Sequence, residues 1–439
     1  MSRLVVLGCG WTGVLVAWRL KQAYPLADVV CVDRDIELGG LLKSIVVNGY
    51  LFDIGGSHVV FSRNKSVLRD ILLLSGKWVA KRRNAYVALN GVLLPYPFEN
   101  GIFVLPPEER ARYGLSLIRA LIESVKGEKR PSNFREWIVS TFGWEIARDY
   151  LIPYNEKIWK RPLDSISADW VYTPGRLPIP SLEDIVKAIA GLETKGYQEQ
   201  AVFYYPRTGG IIEQYKAAHG KAMEVGVRSL TGIEIKEIKV INNEFIINGH
   251  IRADKVINTI PLNEFPHLLN PPPPEEVLKA ASRLDYNQVI VVGLGIKRSA
   301  PPHHWVYIPE KRFIFHRYAW ISNYLAEPPK NRASLIAEIT LPPTTAVDKE
   351  EVINQTISGL EELDVIKENE VEVARAWIHK YGYPIYTLTH HQDRETIENY
   401  LKQLNIITLG RWGNWHYWNT DKIYENIMNK FNLIYFNSF

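Results

Sequence analysis

The sequence predicts an α/β fold: a parallel sheet started early in the chain, an inserted helical region and a separate antiparallel sheet. Three observations carry this. A strand–turn–helix–strand unit with glycines at fixed spacing opens the chain. Residues 106–201 show helical periodicity without βαβ alternation, and residues 286–341 read as consecutive strands.

The opening unit is the most specific. Arg3–Leu7 is a short apolar run, and Gly8, Gly10 and Gly13 form G-x-G-x-x-G before a helical stretch. Val29–Val32 is a second run, ending at Asp33, 20 residues after Gly13. Gly8 permits the tight turn, Gly10 lets the backbone approach a pyrophosphate, and Gly13 lets helix and strand pack closely. The helix N-terminus offers N–H groups to phosphate, and Asp33 accepts a ribose hydroxyl. This is a Rossmann-type dinucleotide cradle. The same stretch superficially resembles a secretory leader, but its glycine spacing and lack of a small-residue cleavage site point to folded structure and a cytoplasmic protein.

Length and composition describe a soluble globular protein. At 439 residues, two or three domains are expected. A net charge of +4 is too small to imply a nucleic-acid partner, and the basic runs Lys81–Arg83 and Lys126–Arg130 read as solvated surface. Cys9 and Cys31 both fall in the opening unit, as small buried residues in a reducing compartment. No apolar run approaches the ~18 residues of a membrane span. His303-His304 and His390-His391 are adjacent pairs whose side chains diverge, so no metal site is expected. The 13 Trp and 23 Tyr suit ring-stacking sites as well as cores.

Further along, Gly39 and Gly40 form a second glycine pair. Asn48-Gly49 marks a hairpin, and Gly55-Gly56-Ser57-His58 makes a flexible loop carrying one histidine. Residues 64–74 read as helix and 85–95 as a hairpin around Asn90-Gly91. Pro106-Pro107-Glu108-Glu109 opens a long helix with proline and acids in its first turn. VFYYPRTGG (202–210) reads as a strand running into a helix, and with the later strand DKVINTIP it is expected to complete the first sheet. A hairpin around Asn242-Asn243 lies between them, and Asn270 followed by Pro271–Pro274 reads as a linker. Helices are expected at about 348–361 and 393–404. The domains drawn from this are 1–75 with 202–265 and 395–439 for the nucleotide, 106–201 helical, and 76–105 with 275–394 antiparallel.

A nucleotide cradle, a second glycine pair and a terminal G-R-W-G exceed what NAD needs and fit FAD held along its length. The chain resembles the FAD-dependent UDP-galactopyranose mutases, in particular their eukaryotic-type branch. The likeness runs in order through GCGWTG, LGG, FDIGGSHVVFS, PYPFEN, PYNEKIW, FYYPRTGG, WVYIPE, FHRYAWISNY, GYPIYTL and GRWGNWHYWNTD. It implies interconversion of UDP-galactopyranose and UDP-galactofuranose, in which reduced-flavin N5 attacks the anomeric carbon. It also implies a UDP-galactose-type nucleotide sugar as partner, and it is compatible with a homo-oligomer. No second dinucleotide fingerprint is present, so NAD(P)H acting as reductant would visit the flavin site transiently.

By the same resemblance, Gly8, Gly10, Gly13, Asp33, Gly39, Gly40, Gly55, Gly56, His58, Arg411 and Tyr417 hold the cofactor. Arg317 and Arg176 grip the diphosphate, Tyr383 and Tyr417 bind phosphate, and Tyr96, Phe98, Tyr154 and Asn155 hold uracil. Trp305 and Tyr307 fall near the sugar and diphosphate, and the catalytic set is His58, Arg176 and Arg317. The chain departs from the pattern at the inserted Ser57, at Glu99 in place of Gln, and at Gln200 in place of Asn. A carboxylate at position 99 accepts hydrogen bonds but donates only when protonated. Two other readings use the same cradle. One is an oxidoreductase of the amine oxidase or protoporphyrinogen oxidase type, which needs an apolar substrate cage and no diphosphate clamp. The other is a non-catalytic nucleotide-sensing module.

Overall fold

The computed structural model describes residues 2–126, 131–172, 177, 179–194, 201–241 and 244–434. The apolar runs flanking the first glycines form β1 (Arg3–Leu7) and β2 (Asp28–Val32), paired in parallel with Leu7 opposite Val32 and joined through helix α1 (Trp11–Ala23). Val5, Val6, Leu7, Val29 and Cys31 are fully buried, as expected where helices or other layers cover both faces of a parallel sheet. Distant segments complete the sheet. Arg228–Leu230 lies beside β2, Lys255–Asn258 beside β1, and Ile407–Thr408 at the far edge.

Val202–Pro206 does not join this sheet. It pairs antiparallel with Trp78–Arg82 in a separate two-stranded ribbon. The reason lies in its aromatic alternation: Phe203 packs against Trp305 at 5.7 Å and Tyr205 against Tyr324 at 5.2 Å. A strand covered on both faces would instead carry continuous branched aliphatics.

The second large sheet has seven strands, ordered Val371–Pro384, Tyr286–Ile296, Ala333–Leu341, Arg317–Trp320, Trp305–Tyr307, Ala85–Leu89 and Val92–Pro95. Most neighbours are antiparallel; Trp305–Tyr307 and Ala85–Leu89 run parallel. The strand Val371–Pro384 escapes the sequence reading because charged residues interrupt its apolar pattern and its register against Tyr286–Ile296 shifts between Asn287 and Val289. At Gly293 and Gly295 a Cβ would fall 2.7 Å from Trp377 and 2.6 Å from Tyr50, so these glycines admit rings onto the strand. Ile290, Val292 and Leu294 point to the other face, into a core with Phe315, Trp320 and Leu360, the last from helix Lys349–Glu362.

The inserted region packs Pro107–Lys126 against Phe134–Ile146. The second helix kinks at Gly143, whose φ is 76° and whose Cβ would lie 2.4 Å from the Ser116 carbonyl oxygen. A π-helical turn (Ala147–Leu151) then leads into Ile152–Trp159. That last helix is fastened to the seven-stranded sheet. Lys157 Nζ donates to the carbonyls of Ile308 (3.0 Å) and Glu310 (2.7 Å), and Asn287 Nδ2 donates to the Trp159 carbonyl at 2.9 Å. Burial pushes the Lys157 ammonium down to about 7.

Candidate active site

One cavity of about 1590 Å³ runs from the glycine turn and Asp33, past Gly39-Gly40 and the Gly55–His58 loop, over the seven-stranded sheet and on to Tyr96, Tyr150 and Tyr154. Its first third is a backbone cradle. Gly10 caps α1 without a side-chain hydrogen bond, and the first turn holds no acid, so the helix N–H groups are left to an anion. Gly8 sits at φ +89°, and a Cβ on Gly13 would come within 1.8 Å of the Gly8 carbonyl oxygen. Asp33 is fixed at the end of β2 by the amides of Cys9 (2.6 Å) and Asp35 (2.9 Å), which leaves lone pairs for ribose hydroxyls. Downstream, a Cβ on Gly55 would lie 2.0 Å from the Leu41 carbonyl oxygen. These features fit an extended dinucleotide cofactor.

The next part is the histidine loop. Ser57, the extra residue, acts as a peg: its amide donates to Glu338 Oε1 at 2.9 Å, and its hydroxyl pairs with the Tyr324 hydroxyl at 2.6 Å. His58 follows, 3.2 Å through Nε2 from the Gly55 carbonyl oxygen. Burial lowers its pKa to about 4 despite the nearby Glu338, so the imidazole is neutral at pH 7. Beneath the loop, buried Asp53 accepts hydrogen bonds from Ser44 (2.6 Å), Tyr205 (2.7 Å) and the Ile211 amide (3.2 Å). Burial still raises it to about 6.

The floor is a row across three strands. Tyr307 lies opposite Arg317, and Arg317 opposite Glu338. Arg317 Nε and Nη2 donate to the two Glu338 oxygens, each at 2.8 Å, and Tyr383 OH donates to Glu338 Oε2 at 3.2 Å. Burial alone would raise the Glu338 pKa, but the charge and hydrogen bonds of Arg317 hold it down to about 2. Two of the three guanidinium nitrogens of Arg317 are therefore committed to Glu338. Nearby, Arg411 donates to the carbonyls of Gly382 (2.7 Å) and Trp418 (3.1 Å) and lies 4.5 Å over the Tyr417 ring. Tyr417 meets Tyr383 edge-on at 5.3 Å, so the two phosphate-assigned tyrosines and Arg411 come together.

The far wall is aromatic. Tyr96 and Tyr154 contact Tyr307 at 4.9 and 5.6 Å, Tyr150 stacks on Tyr154 at 5.6 Å, and Trp305 Nε1 donates to the Tyr307 hydroxyl. Asn155 lines the cavity too, its amide spent on the Leu151 carbonyl at 2.7 Å. Phe98 sits one layer back, fully buried and stacked on Tyr150 at 5.0 Å, and does not line the cavity. Glu99 is buried beside it with Oε1 lacking a partner, and burial pushes its pKa up to about 8. Position 99 is thus a neutral acid at pH 7, able to donate as well as accept.

Arg176 and Gln200 lie outside the described residues. Three site residues escape the sequence reading. Glu338 had a signal, since an acid inside the apolar run ASLIAEITL demands a buried partner. Tyr150 stands one helical turn before Tyr154. Arg83, expected on the solvated surface, is instead half-buried, 4.2 Å over Tyr96 and 5.2 Å over Trp305. Among the described residues, no group of three His, Cys, Asp or Glu is arranged to hold a metal ion, and no helix is long and apolar enough to cross a membrane.

Comparison with known proteins matches residues 6–72 to an NAD(P)-binding Rossmann-like domain and residues 176–402 to the flavin containing amine oxidoreductases. Among solved structures, the chain is similar to reduced UDP-galactopyranose mutase (TM-score 0.88, 24% identity, 100% of this chain and 94% of that one). It is also similar to a putative protoporphyrinogen oxidase from Exiguobacterium sp. 255-15 (0.75, 16%, 100% and 99%) and a CLA-producing fatty acid isomerase from P. acnes (0.68, 14%, 100% and 99%). At these identities the likeness is one of fold. The family profile covers more than half the chain and overlies the floor and the histidine-loop contacts of Glu338: this protein belongs to the flavin containing amine oxidoreductase family, with FAD as its cofactor.

Proposed function

We propose that this protein is a flavin-dependent mutase that interconverts the pyranose and furanose forms of a nucleotide sugar, UDP-galactopyranose and UDP-galactofuranose. The observation that carries the reading is the half-buried Arg317 on the cavity floor, set between the histidine loop and a wall of stacked tyrosines. A cation there suits a diphosphate, and stacked phenols suit a planar base. An oxidase acting on an apolar substrate needs no diphosphate clamp. Likeness of fold to reduced UDP-galactopyranose mutase over the whole chain supports the reading, and the motifs PYPFEN and PYNEKIW set the chain apart from generic flavin oxidases.

Bound reduced flavin supplies the nucleophile for the anomeric carbon. The chain supplies position and charge. Arg317 offers the diphosphate its Nη1 donors, and Glu338 holds the guanidinium through its other two nitrogens. Tyr383 and Tyr417 add hydroxyl groups beside it. Tyr96, Tyr150 and Tyr154 hold the base, placing the sugar toward His58, whose neutral imidazole exchanges hydrogen bonds without adding charge. The same proposal places Arg176 with the diphosphate.

The family match and the likeness to a protoporphyrinogen oxidase keep a second reading, hydride removal from substrate by oxidised flavin. One experiment separates them. UDP-galactofuranose is given to the protein with its flavin reduced by dithionite and, in parallel, oxidised. Conversion to UDP-galactopyranose in the reduced sample alone supports the mutase. No conversion, with UDP failing to bind, supports the oxidoreductase.

A further inference from the structure

The glycine turn and the start of the helix Thr420–Ile434 meet at the cofactor cradle. Trp11, the first residue of α1, is buried at the cavity wall, and its indole Nε1 donates to the Thr420 carbonyl at 3.0 Å. Thr420 opens the C-terminal helix Thr420–Ile434, and Thr420 and Ile423, with Asn419 just before the helix, line the same cavity. On the other side of the turn, Gly410 adopts φ +85°, and a Cβ there would lie 2.2 Å from Thr12 Oγ1. Gly413 also approaches the adjacent strand closely, its Cβ position 2.7 Å from the Asn258 carbonyl oxygen. Behind these contacts, Ile423, Tyr424, Ile427 and Phe431 share one core with Val14 and Leu15 of α1. The dinucleotide turn is therefore gripped from behind by residues 410–434, and a hydrogen bond that links it to the helix Thr420–Ile434 comes from an indole that G-x-G-x-x-G itself does not require.

We infer that Trp11 is a cofactor-positioning residue, fixing the first turn of the C-terminal helix at the cradle so that FAD binding and docking of residues 410–434 are a single linked equilibrium. A ligand that binds only the docked arrangement stabilises docking by the same factor by which docking improves its affinity. The inference rests on the cofactor and not on the mutase reading, so either can fail without the other.

The test compares holoprotein and deflavinated protein by amide hydrogen exchange over Thr420–Ile434, for the natural chain and for Trp11→Phe, together with fluorescence titration of FAD into each apoprotein. In the natural chain, FAD slows exchange in this helix at least tenfold. In Trp11→Phe, which keeps the ring but loses the N–H, FAD binds about five-fold more weakly, as expected for one lost hydrogen bond, and the FAD-dependent slowing shrinks in proportion. Unchanged affinity overturns the inference. So does weaker affinity with undiminished FAD-dependent slowing, which would make the indole a packing contact. The natural chain decides by itself if the variant does not fold: exchange in this helix that ignores FAD also overturns the inference.

Discussion

Arg317 and Glu338 face each other on neighbouring strands, joined by two 2.8 Å hydrogen bonds, with the carboxylate 2% exposed and the guanidinium 23% exposed. The arginine is thus held before any anion arrives, and the carboxylate sets its plane. Removing one partner strands a buried charge. Arg317→Ala is expected to lower unfolding free energy by about 3 kcal/mol, whereas a double replacement by apolar residues recovers most of the loss. Urea unfolding of the single and double variants checks this, and equal losses in both would refute the pairing.

The same arginine carries the substrate assignment. Arg317→Ala is expected to weaken UDP binding by about 2 kcal/mol through loss of a charge-assisted pair. Calorimetric titration of UDP into flavin-loaded protein reads it. Undiminished UDP affinity would remove Arg317 from the diphosphate site.

Glu99 gives a signed pH dependence. Its carboxyl titrates near 4.5 when unfolded and near 8 in the fold, because burial disfavours the charge. A raised carboxylate pKa favours folding at low pH, and that advantage disappears as pH rises from 4.5 through 8. Against Glu99→Gln, which is neutral throughout, the natural chain should lose on the order of 4 kcal/mol across that window. Thermal unfolding of both proteins at pH 5, 7 and 9 measures the difference, and parallel curves would show that the acid is solvated.

Gly13→Ala should leave the cradle unable to close, since the added Cβ meets the Gly8 carbonyl oxygen at 1.8 Å and backbone must move. A loss of about 2 kcal/mol in stability is expected, with little bound flavin. Asp33→Ala should also yield colourless protein while sparing more of the fold. Flavin absorbance per mole of purified chain distinguishes the two, and yellow Asp33→Ala protein would mean that the ribose is held elsewhere.

Tyr154→Ala should weaken UDP binding by about 1–3 kcal/mol through loss of stacking, while its flavin content stays unchanged. Competition binding against free uridine reads this separately from the diphosphate, and an unaltered uridine affinity would move the base to another wall.

The cradle was legible in the sequence because its physics is local: glycine spacing, a strand on either side, and an acid at the end of the second. The hairpins at Asn48-Gly49 and Asn90-Gly91 were legible for the same reason. What escaped depends on partners far away in the chain. The alternation of VFYYP suits either sheet until Trp305 and Tyr324 are in place to receive its rings. Arg83 reads as surface until Tyr96 and Trp305 close over it, and the strand Val371–Pro384 is hidden by charges that its bulged register tolerates. Arg317 was visible as an arginine within FHRYAW; that Glu338 would occupy two of its nitrogens was not.

The order of the first sheet has a consequence for the newborn chain. β1 and β2 are synthesised before the strand on the open side of β1, Lys255–Asn258, and before Ile407–Thr408 beyond it. Throughout that interval β1 presents the unpaired edge of an apolar run, the kind of template that pairs with other chains. Production of this protein should therefore be limited by chaperone capacity during translation, and fragments ending before residue 255 should accumulate as aggregates.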